Sequence, residues 1–354
     1  MIRSLLKNRY SPIGVDLGSH SVKLVQFTAD RKQLIDAVRW DLPANKAVTG
    51  DAKVKSAALV DALKQARRNR AFRGRDVVLC LGHDQLFLQN IRVPKSDESD
   101  LNRLVQQEAA GRVPYSVSET EIRYLKAAEV RHGDSTLQEV ILCACHRPAL
   151  EQTLQVIEQA DLRPVAVDIE SNALVRAYVR QFRRDDDRSK RSMLVNIGQS
   201  ATVAVIAEGD HTLFVKHIDV GGKQFDAAVA NHLQMTLTEA SALRRNNGDR
   251  RADQQDPEVA ESMAEATRPG VEKLISELAH CIRYHSVTFR GKPLIRMVLG
   301  GGEANETLRE ILGRRLDLAC ELFTPLRNFE SQVRSTRSGQ WDVATGLALR
   351  EVEA

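Results

Sequence analysis

Two kinds of hydrophobic spacing alternate along the chain: short apolar runs of strand length, and longer segments with helical spacing. Ile13 to Phe27 reads as two strands interrupted by Gly18-Ser19-His20-Ser21. A helix is predicted from about Ala52 to Arg70, then a strand over Asp76 to Leu81 and a partner strand over Gln85 to Val93, closed by Pro94. Ser96, as N-cap, opens a helix to about Val113, and Pro114 stops it. Glu121 to Val130 and Leu137 to Cys145 read as a hairpin around His132-Gly133-Asp134. A helix over Pro148 to Asp161, a strand over Pro164 to Asp168 and a helix over Ile169 to Arg184 follow. The run Arg183-Arg184-Asp185-Asp186-Asp187-Arg188 reads as a solvated boundary.

Met193 to Glu208 is again strand, glycine turn, strand, followed by a strand over His211 to Val220. Helices are predicted over Gln224 to Leu233, Leu237 to Arg245 and about Pro269 to Arg290, with a polar connection over Asn246 to Pro257. A strand over Leu294 to Leu299 ends in Gly300-Gly301-Gly302, and helices over Asn305 to Leu316 and Trp341 to Arg350 complete the chain. The runs beginning Ile13-Gly-Val-Asp-Leu-Gly and Met193-Leu-Val-Asn-Ile-Gly align at one offset, 180 residues. Two copies half a chain apart imply two similar α/β domains facing each other; the period is too long for a solenoid.

Composition narrows the function classes. The 354 residues, 42% hydrophobic and 28% charged, suit a soluble chain of two or three domains. No run approaches the ~18 apolar residues of a membrane span. Met1 to Tyr10 holds only Leu5-Leu6 as an apolar pair, so no secretory leader is expected and the chain is expected in the cytoplasm. A net charge of +4 and 5% aromatics argue against nucleic acid. Five scattered cysteines suit reduced thiols. Cys143 and Cys145 read as core packing; zinc would need more ligands than nearby His146.

The chemistry gathers at glycine turns. In the first, backbone N–H groups from Gly18 to Ser21 can hold phosphate oxygens. Ser19 and Ser21 add hydroxyls, and Lys23 adds a cation. Asp16, at the end of the first strand, can hold Mg²⁺ directly or through water. The second turn offers the same backbone around Gly198, with Gln199, Ser200 and Thr202, but has no lysine, and Asn196 stands in place of the acid. Two such loops can clamp one triphosphate. Gly300-Gly301-Gly302 can lie flat against a planar group; Gly221-Gly222 makes a second strand–helix turn, and Glu239 can reach a ribose hydroxyl.

The order of these segments resembles the five motifs of the actin/hexokinase/heat-shock ATPase superfamily. Within it the chain most resembles the PilM family of type IV pilus assembly. That resemblance rests on Ile13 to Phe27, Gln89-Asn-Ile-Arg-Val-Pro94, Gln106-Gln-Glu-Ala-Ala110 with Val113-Pro-Tyr115, Val167-Asp-Ile-Glu170 and Val220-Gly-Gly222. It implies a two-lobed actin-like ATPase fold, α/β, built from duplicated ribonuclease H-like domains with an FtsA-type insert. The first lobe would comprise residues 1–80 and 166–190, the insert 81–165, and the second lobe 191–354, with a nucleoside-binding part over about 222–292.

By the same resemblance, ATP with Mg²⁺ lies between the lobes. Gly18, Ser19, His20 and Lys23 would touch the phosphates from one side, and Gly198, Gln199, Ser200 and Thr202 from the other. Asp16 would help hold the metal. Gly221, Gly222, Glu239, Gly300, Gly301 and Asn305 would surround the nucleoside, and Asp168 or Glu170 would position a catalytic water. Asn196 for the usual acid, and Leu243 near the usual adenine lysine, imply ATP binding with slow or no hydrolysis.

The implied partner is the cytoplasmic tail of a PilN-like inner-membrane protein, held by the insert near Leu88, Ile91, Val93 and Leu104. Membrane contact is expected to be peripheral, and self-association is left open. Arg67, Arg68, Arg70, Arg73 and Arg75 read as a solvated face, with anionic lipid as the alternative. Rival readings are a small-molecule phosphotransferase of the same fold and a nucleotide-free scaffold of a type II secretion system.

Overall fold

The computed structural model describes residues 10–43, 52–132, 135–182, 184–249, 255–327, 329 and 337–352. Two five-stranded sheets of the same topology carry the fold. In the first, β1 (Ile13–Leu17), β2 (Ser21–Phe27) and β3 (Leu34–Asp41) form an antiparallel meander, extended on the other side by parallel β4 (Asp76–Cys80) and β8 (Arg163–Asp168), in the order β3-β2-β1-β4-β8. The second repeats it with β9 (Arg191–Ile197), β10 (Thr202–Glu208), β11 (His211–Ile218), β12 (Leu294–Gly300) and β13 (Cys320–Leu322), in the order β11-β10-β9-β12-β13. The repeat read from the sequence is therefore a repeat of whole sheets. Its hairpins match: Leu17 pairs with Val22 and Ile197 with Thr202, so each turn holds four residues.

The sheets are near-continuous apolar runs because both faces are covered. On the outer face of the first, α1 (Ala52–Arg67) and α3 (Arg147–Gln159) bury Leu63, Val156 and Ile157 against Ile13, Leu24 and Leu79. On the outer face of the second, α5 (Gly222–His232), α7 (Pro257–Thr288) and α8 (Glu306–Leu316) bury Phe225, Leu274 and Leu312 against Met193 and Ile206. Each fully buried side chain of this size contributes roughly 1.5–3 kcal/mol. α6 (Leu237–Asp249) packs against α5 and α7 through a small cluster around Val229, Ala240 and Met263.

Two helices fill the space between the sheets. α4 (Glu170–Val179) packs Ala173, Leu174 and Ala177 with Val203 and Val205 of the second sheet, and α9 (Asp342–Ala348) packs Ala344 and Ala348 with Val25 and Phe27 of the first. The two cross at almost backbone contact. A Cβ on Gly346 of α9 would lie 1.8 Å from the Ala173 carbonyl oxygen, and one on Gly14 of β1 would lie 2.1 Å from that of Ala344. Each lobe thus lends the other a helix, and the linear boundaries need correction. Residues 170–179, expected with the first lobe, pack on the second sheet, while the chain's last helix lies on the first.

Between β4 and β8 a small sheet is inserted, in the order β5-β7-β6, from β5 (Leu86–Pro94), β6 (Thr120–His132) and β7 (Ser135–His146), with α2 (Glu98–Ala110) across one face. Asp97, not Ser96, caps α2, accepting from the Asp100 N–H. The hairpin turn at Gly133-Asp134 lies outside the described residues. α3, expected within the insert, belongs by its packing to the first lobe.

Three elements had escaped the pattern wholly or in part, the three-residue edge strand β13 among them. β3 is a half-buried edge strand without a clean alternation. α7 begins at Pro257, twelve residues before the expected start, and runs through Pro269. Asp256 as N-cap with proline at N1 is a strong start signal, and it outweighs the internal proline. Cys143 and Cys145 are core residues as expected, and burial pushes the Cys143 thiol up to about 12.

Candidate functional site

The parallel strands of each sheet and their flanking hairpins end at one cleft of about 370 Å³ between the lobes. The first hairpin contributes Gly18, Ser19, His20 and Ser21, and the second contributes Gly198, Gln199, Ser200 and Ala201. The two turns expected to grip one ligand do face the same space. Each is tight: a Cβ on Gly18 would sit 2.8 Å from the Ser21 carbonyl oxygen, and the Gly198 N–H donates to the Ala201 carbonyl at 2.9 Å.

Charge on the cleft floor is arranged in two layers. Lys23 and Asp16 are cross-strand partners, and the ammonium donates to Asp16 Oδ2 at 2.7 Å. Glu170, at the start of α4, lies behind them and keeps a partial opening to cleft water. Burial, then the negative charges of Asp16 and Asp342, push its carboxyl up to about 8, against the pull of Lys23. Asp342, at the start of α9, is 1% exposed. Its Oδ2 accepts from Asn196 Nδ2 at 2.7 Å and from the Gly301 N–H at 2.9 Å, and its Oδ1 from the Val343 N–H at 2.7 Å. Burial outweighs these donors and raises this carboxyl to about 7. Asn196 supplies this knot with a neutral donor: a second acid there would have to share a proton with Asp342 or repel it.

The far wall is a polar network on the second lobe. Arg244 joins Asp226 at 2.7 Å and Glu303 through a close ion pair. Gln199 donates to Asp226 Oδ2 at 2.9 Å and accepts from Arg245 at the same distance, while Arg337 holds the carbonyls of Gly302 and Arg245 at 3.0 and 3.1 Å. Arg39 of β3 reaches across to Gln340 Oε1 at 2.9 Å, linking the lobes at the mouth. Lys55 of α1 also lines the cleft. Burial and the nearby Arg245 hold the His20 imidazole below its ordinary value, so it stands neutral among these cations. Donor-rich turns surrounded by arginine and lysine have the chemistry to accept a polyanion.

A family model described as type IV pilus assembly protein PilM matches residues 14–352. The chain belongs to the PilM family. A solved PilM-PilN type IV pilus biogenesis complex is similar over 98% of this chain and 100% of that one, at 23% identity and a TM-score of 0.80. The ethanolamine utilization protein EutJ from Carboxydothermus hydrogenoformans is 14% identical, over 96% of this chain and 89% of that one, with a TM-score of 0.57. A Bacteroides thetaiotaomicron protein with an actin-like ATPase fold and unknown function is 9% identical, over 99% of this chain and 100% of that one, with a TM-score of 0.50. The expected two-lobed actin-like fold is thus established.

The expected site divides. Asp16, Gly18, Ser19, His20, Lys23, Glu170, Gly198, Gln199, Ser200 and Gly301 line the cleft. Others hold it up from behind. Thr202 is fully buried, and its hydroxyl donates to the Val220 carbonyl at 2.7 Å. Gly222 and Lys223 donate to the carbonyls of Gly198 and Gln199 at 3.0 and 2.7 Å, so Gly221-Gly222 braces the second turn from behind. A Cβ on Gly221 would lie 2.7 Å from the Gly198 carbonyl oxygen. Gly300 leaves room for Asp342, whose Oδ2 would sit 2.4 Å from a Cβ there.

Three expectations are corrected outright. Glu239 is exposed and caps α6, accepting from the Thr236 N–H at 2.9 Å and hydroxyl at 2.7 Å; those bonds lower its carboxyl. Asn305 caps α8, accepting from the Leu308 N–H at 2.9 Å. Asp168 lies outside the cleft, bound by Arg176 at 2.9 Å and Arg350 at 3.1 Å, where it ties β8 and α4 to the chain after α9. Of the four partner residues, Ile91 and Val93 are 3% and 1% exposed and form the insert's core with Leu104, while Leu88 packs toward the interlobe core.

Arg245, Arg337, Arg39 and Asp342 were missed. A helical Arg244-Arg245 pair close to the expected adenine lysine was the available signal; Leu243, singled out in its place, packs beside Leu233 and Met235. Nothing local marks Arg39 or Asp342, whose partners Gln340, Asn196 and Gly301 lie 301, 146 and 41 residues away along the chain.

Proposed function

We propose that the chain is an ATP-binding scaffold of type IV pilus assembly, in which nucleotide occupancy sets its grip on the cytoplasmic tail of a PilN-like inner-membrane protein. The single observation that carries this reading is the pair of equivalent glycine turns facing each other across one cation-lined cleft. The triphosphate would lie between Gly18–Ser21 and Gly198–Ala201, with Lys23 against it. The nucleoside would extend toward Gly301, Gly302, Arg245 and Arg337. Among the described residues no set of three His, Cys, Asp or Glu is arranged to hold a metal unaided. Mg²⁺ would therefore enter with the phosphates, and Asp16 would meet it through water or the carboxylate oxygen that Lys23 leaves free. The metal neutralises phosphate charge; the chain's part is to orient the phosphates and exclude water.

Hydrolysis is expected to be slow. The carboxyl nearest a catalytic position is Glu170, and with its proton held up to about 8 it is a poor base at neutral pH.

Coupling to the tail is supported by where the insert docks. It grips the second lobe. Asn90 of β5 donates to the Val215 carbonyl at 2.8 Å and accepts from the Val215 N–H at 3.4 Å, imitating a strand on the edge of β11. Glu139 of β7, 1% exposed, accepts from Arg92 at 2.8 Å and from the Tyr284 hydroxyl of α7. The insert is joined covalently to the first lobe and by these bonds to the second, so lobe closure around ATP changes its setting. The tail's seat is read as the groove between α2 and β6, lined by Asn102, Gln106 and Tyr124, where an extended peptide would lie along an edge strand.

Calorimetric titration with ATP and Mg²⁺ tests the reading. Binding is expected below millimolar, weakened at least tenfold by Lys23→Ala or Arg245→Ala. A tail peptide is expected to bind with a different Kd in the presence of ATP. Absence of binding at millimolar ATP removes the proposal; an unchanged peptide Kd removes the coupling.

A further inference from the structure

One strongly charged surface plays no part in the cleft. From the last turn of α1 to the start of β4 the chain runs Lys64-Gln-Ala-Arg-Arg-Asn-Arg-Ala-Phe-Arg-Gly-Arg75, six basic residues and no acidic one. All six are exposed except Arg67, which is half-buried. Folding adds Arg163 from the start of β8 and brings three acids, Asp36, Asp76 and Asp161, to pair with Arg70, Arg163 and Arg75. Lys64, Arg68 and Arg73 make no ion pair among the described residues. The surface is left with seven cations against three anions.

Its shape and place matter as much as its charge. Asn69 and Gly74 take left-handed backbone, with φ of 59° and 70°, and the chain turns there with residues 68–71 and 73–75 exposed. No aromatic ring is free there to stack on a base: Phe72 packs into the first lobe's core, and Tyr10 packs on Gly74. Exposed, cationic and without stacking platforms, the turn suits a layer of phosphates more than a single nucleic-acid strand. β1 and β4 start at this end of their sheet and finish at the cleft, and the insert leaves from the far end of β4. A surface engaged here leaves the cleft and the insert free.

We propose that the turn between α1 and β4 docks on the headgroups of an anionic phospholipid bilayer, with Arg68 and Arg73 as its principal contacts. The inference stands apart from nucleotide binding. In the proposed scaffold it would orient the molecule, holding this edge of the first lobe against the membrane while the opposite end of that sheet binds ATP.

The test is vesicle flotation of the full chain with phosphatidylcholine alone and with phosphatidylcholine containing phosphatidylglycerol, at 50 and 300 mM NaCl. Binding is expected to the anionic vesicles at low salt, to be largely lost at high salt, and to be absent on phosphatidylcholine. Neutralising one basic residue at such a surface weakens partitioning about fivefold, so the pair Arg68→Gln/Arg73→Gln is expected to lose about 25-fold. Both side chains are exposed, so the variant's thermal midpoint and ATP titration should match the parent, which separates this result from failure of the ATP reading. Equal partitioning of variant and parent overturns the proposal, as does equal binding to neutral vesicles. Duplex DNA binding that depends on the same two arginines, without vesicle binding, also overturns it in favour of a nucleic-acid surface.

Discussion

Replacing Asn196 by aspartate puts an acid where the first hairpin has Asp16, and the structure predicts that it will harm the protein in a pH-dependent way. The side chain is 6% exposed and donates to Asp342 Oδ2 at 2.7 Å, and Asp342 is 1% exposed. The substitution removes a hydrogen bond to a carboxylate, worth about 1.5–3 kcal/mol. If both acids ionise, two charges some 4 Å apart repel by about 4 kcal/mol at an effective dielectric near 20. If one stays protonated, the pair shares that proton as a coupled dyad.

At pH 5 the shared proton stands in for the lost amide donor, and the variant should lose only about 1 kcal/mol. At pH 8 the proton must be held far above an aspartate's ordinary range, and the loss should reach about 3–4 kcal/mol. The parent has the same sign of slope. Because burial raises Asp342 to about 7, folding favours the protonated acid, and stability declines as pH rises from about 4 to 7 and then levels off. The variant's decline should continue past 7. Trp341 is buried beside Asp342, so tryptophan fluorescence in urea reads the right region. At pH 8 the thermal midpoint should fall by roughly 4–5 °C for a cooperative unit of this size. A variant as stable as the parent at pH 8, or one penalised equally at pH 5 and pH 8, would refute the buried carboxylate–amide pairing.

Other outcomes follow from the same coordinates. Gly346→Ala forces a methyl group to within 1.8 Å of the Ala173 carbonyl oxygen and should cost about 3 kcal/mol or more in a thermal melt, whereas Gly302→Ala, with open space around it, should melt like the parent. Glu139→Gln weakens the bonds that hold the insert to α7. Hydrogen exchange in β7 and α7 should rise, and any effect of ATP on tail binding should shrink; unchanged exchange would mean that the dock is held elsewhere. His217 and His285 are held neutral, with values near 4, mainly by burial. Their contribution is complete above about pH 6.5 and is lost as pH falls toward 4, so His285→Phe should flatten the acid limb of a stability–pH profile. An unaltered acid limb would show that His285 is not responsible.

Much of the fold was legible because its signals are local. A buried strand is a short apolar run, a glycine turn needs a glycine, and a duplicated hairpin repeats at one offset. That was enough to find both glycine turns, Asp16 and Lys23 beside the first of them, and the inserted sheet, and to place them in the right order; that Asp16 and Lys23 pair with each other came only from the structure. Residues that only fold against distant segments left no such trace. Asp342 reads as an ordinary helix-start acid until Asn196 and Gly301 meet it across more than forty residues of chain. Asp168 sits beside the right motif and still faces away from the cleft, because two arginines on neighbouring elements claim its carboxylate. Gly221, Gly222 and Thr202 carry the expected residue types, but their hydrogen bonds are spent on the second turn's own backbone. The sequence by itself determined which turns could bind phosphate. The exchange of α4 and α9 between lobes decided how those turns face each other, since helix docking depends on side chains that meet only once both sheets have formed.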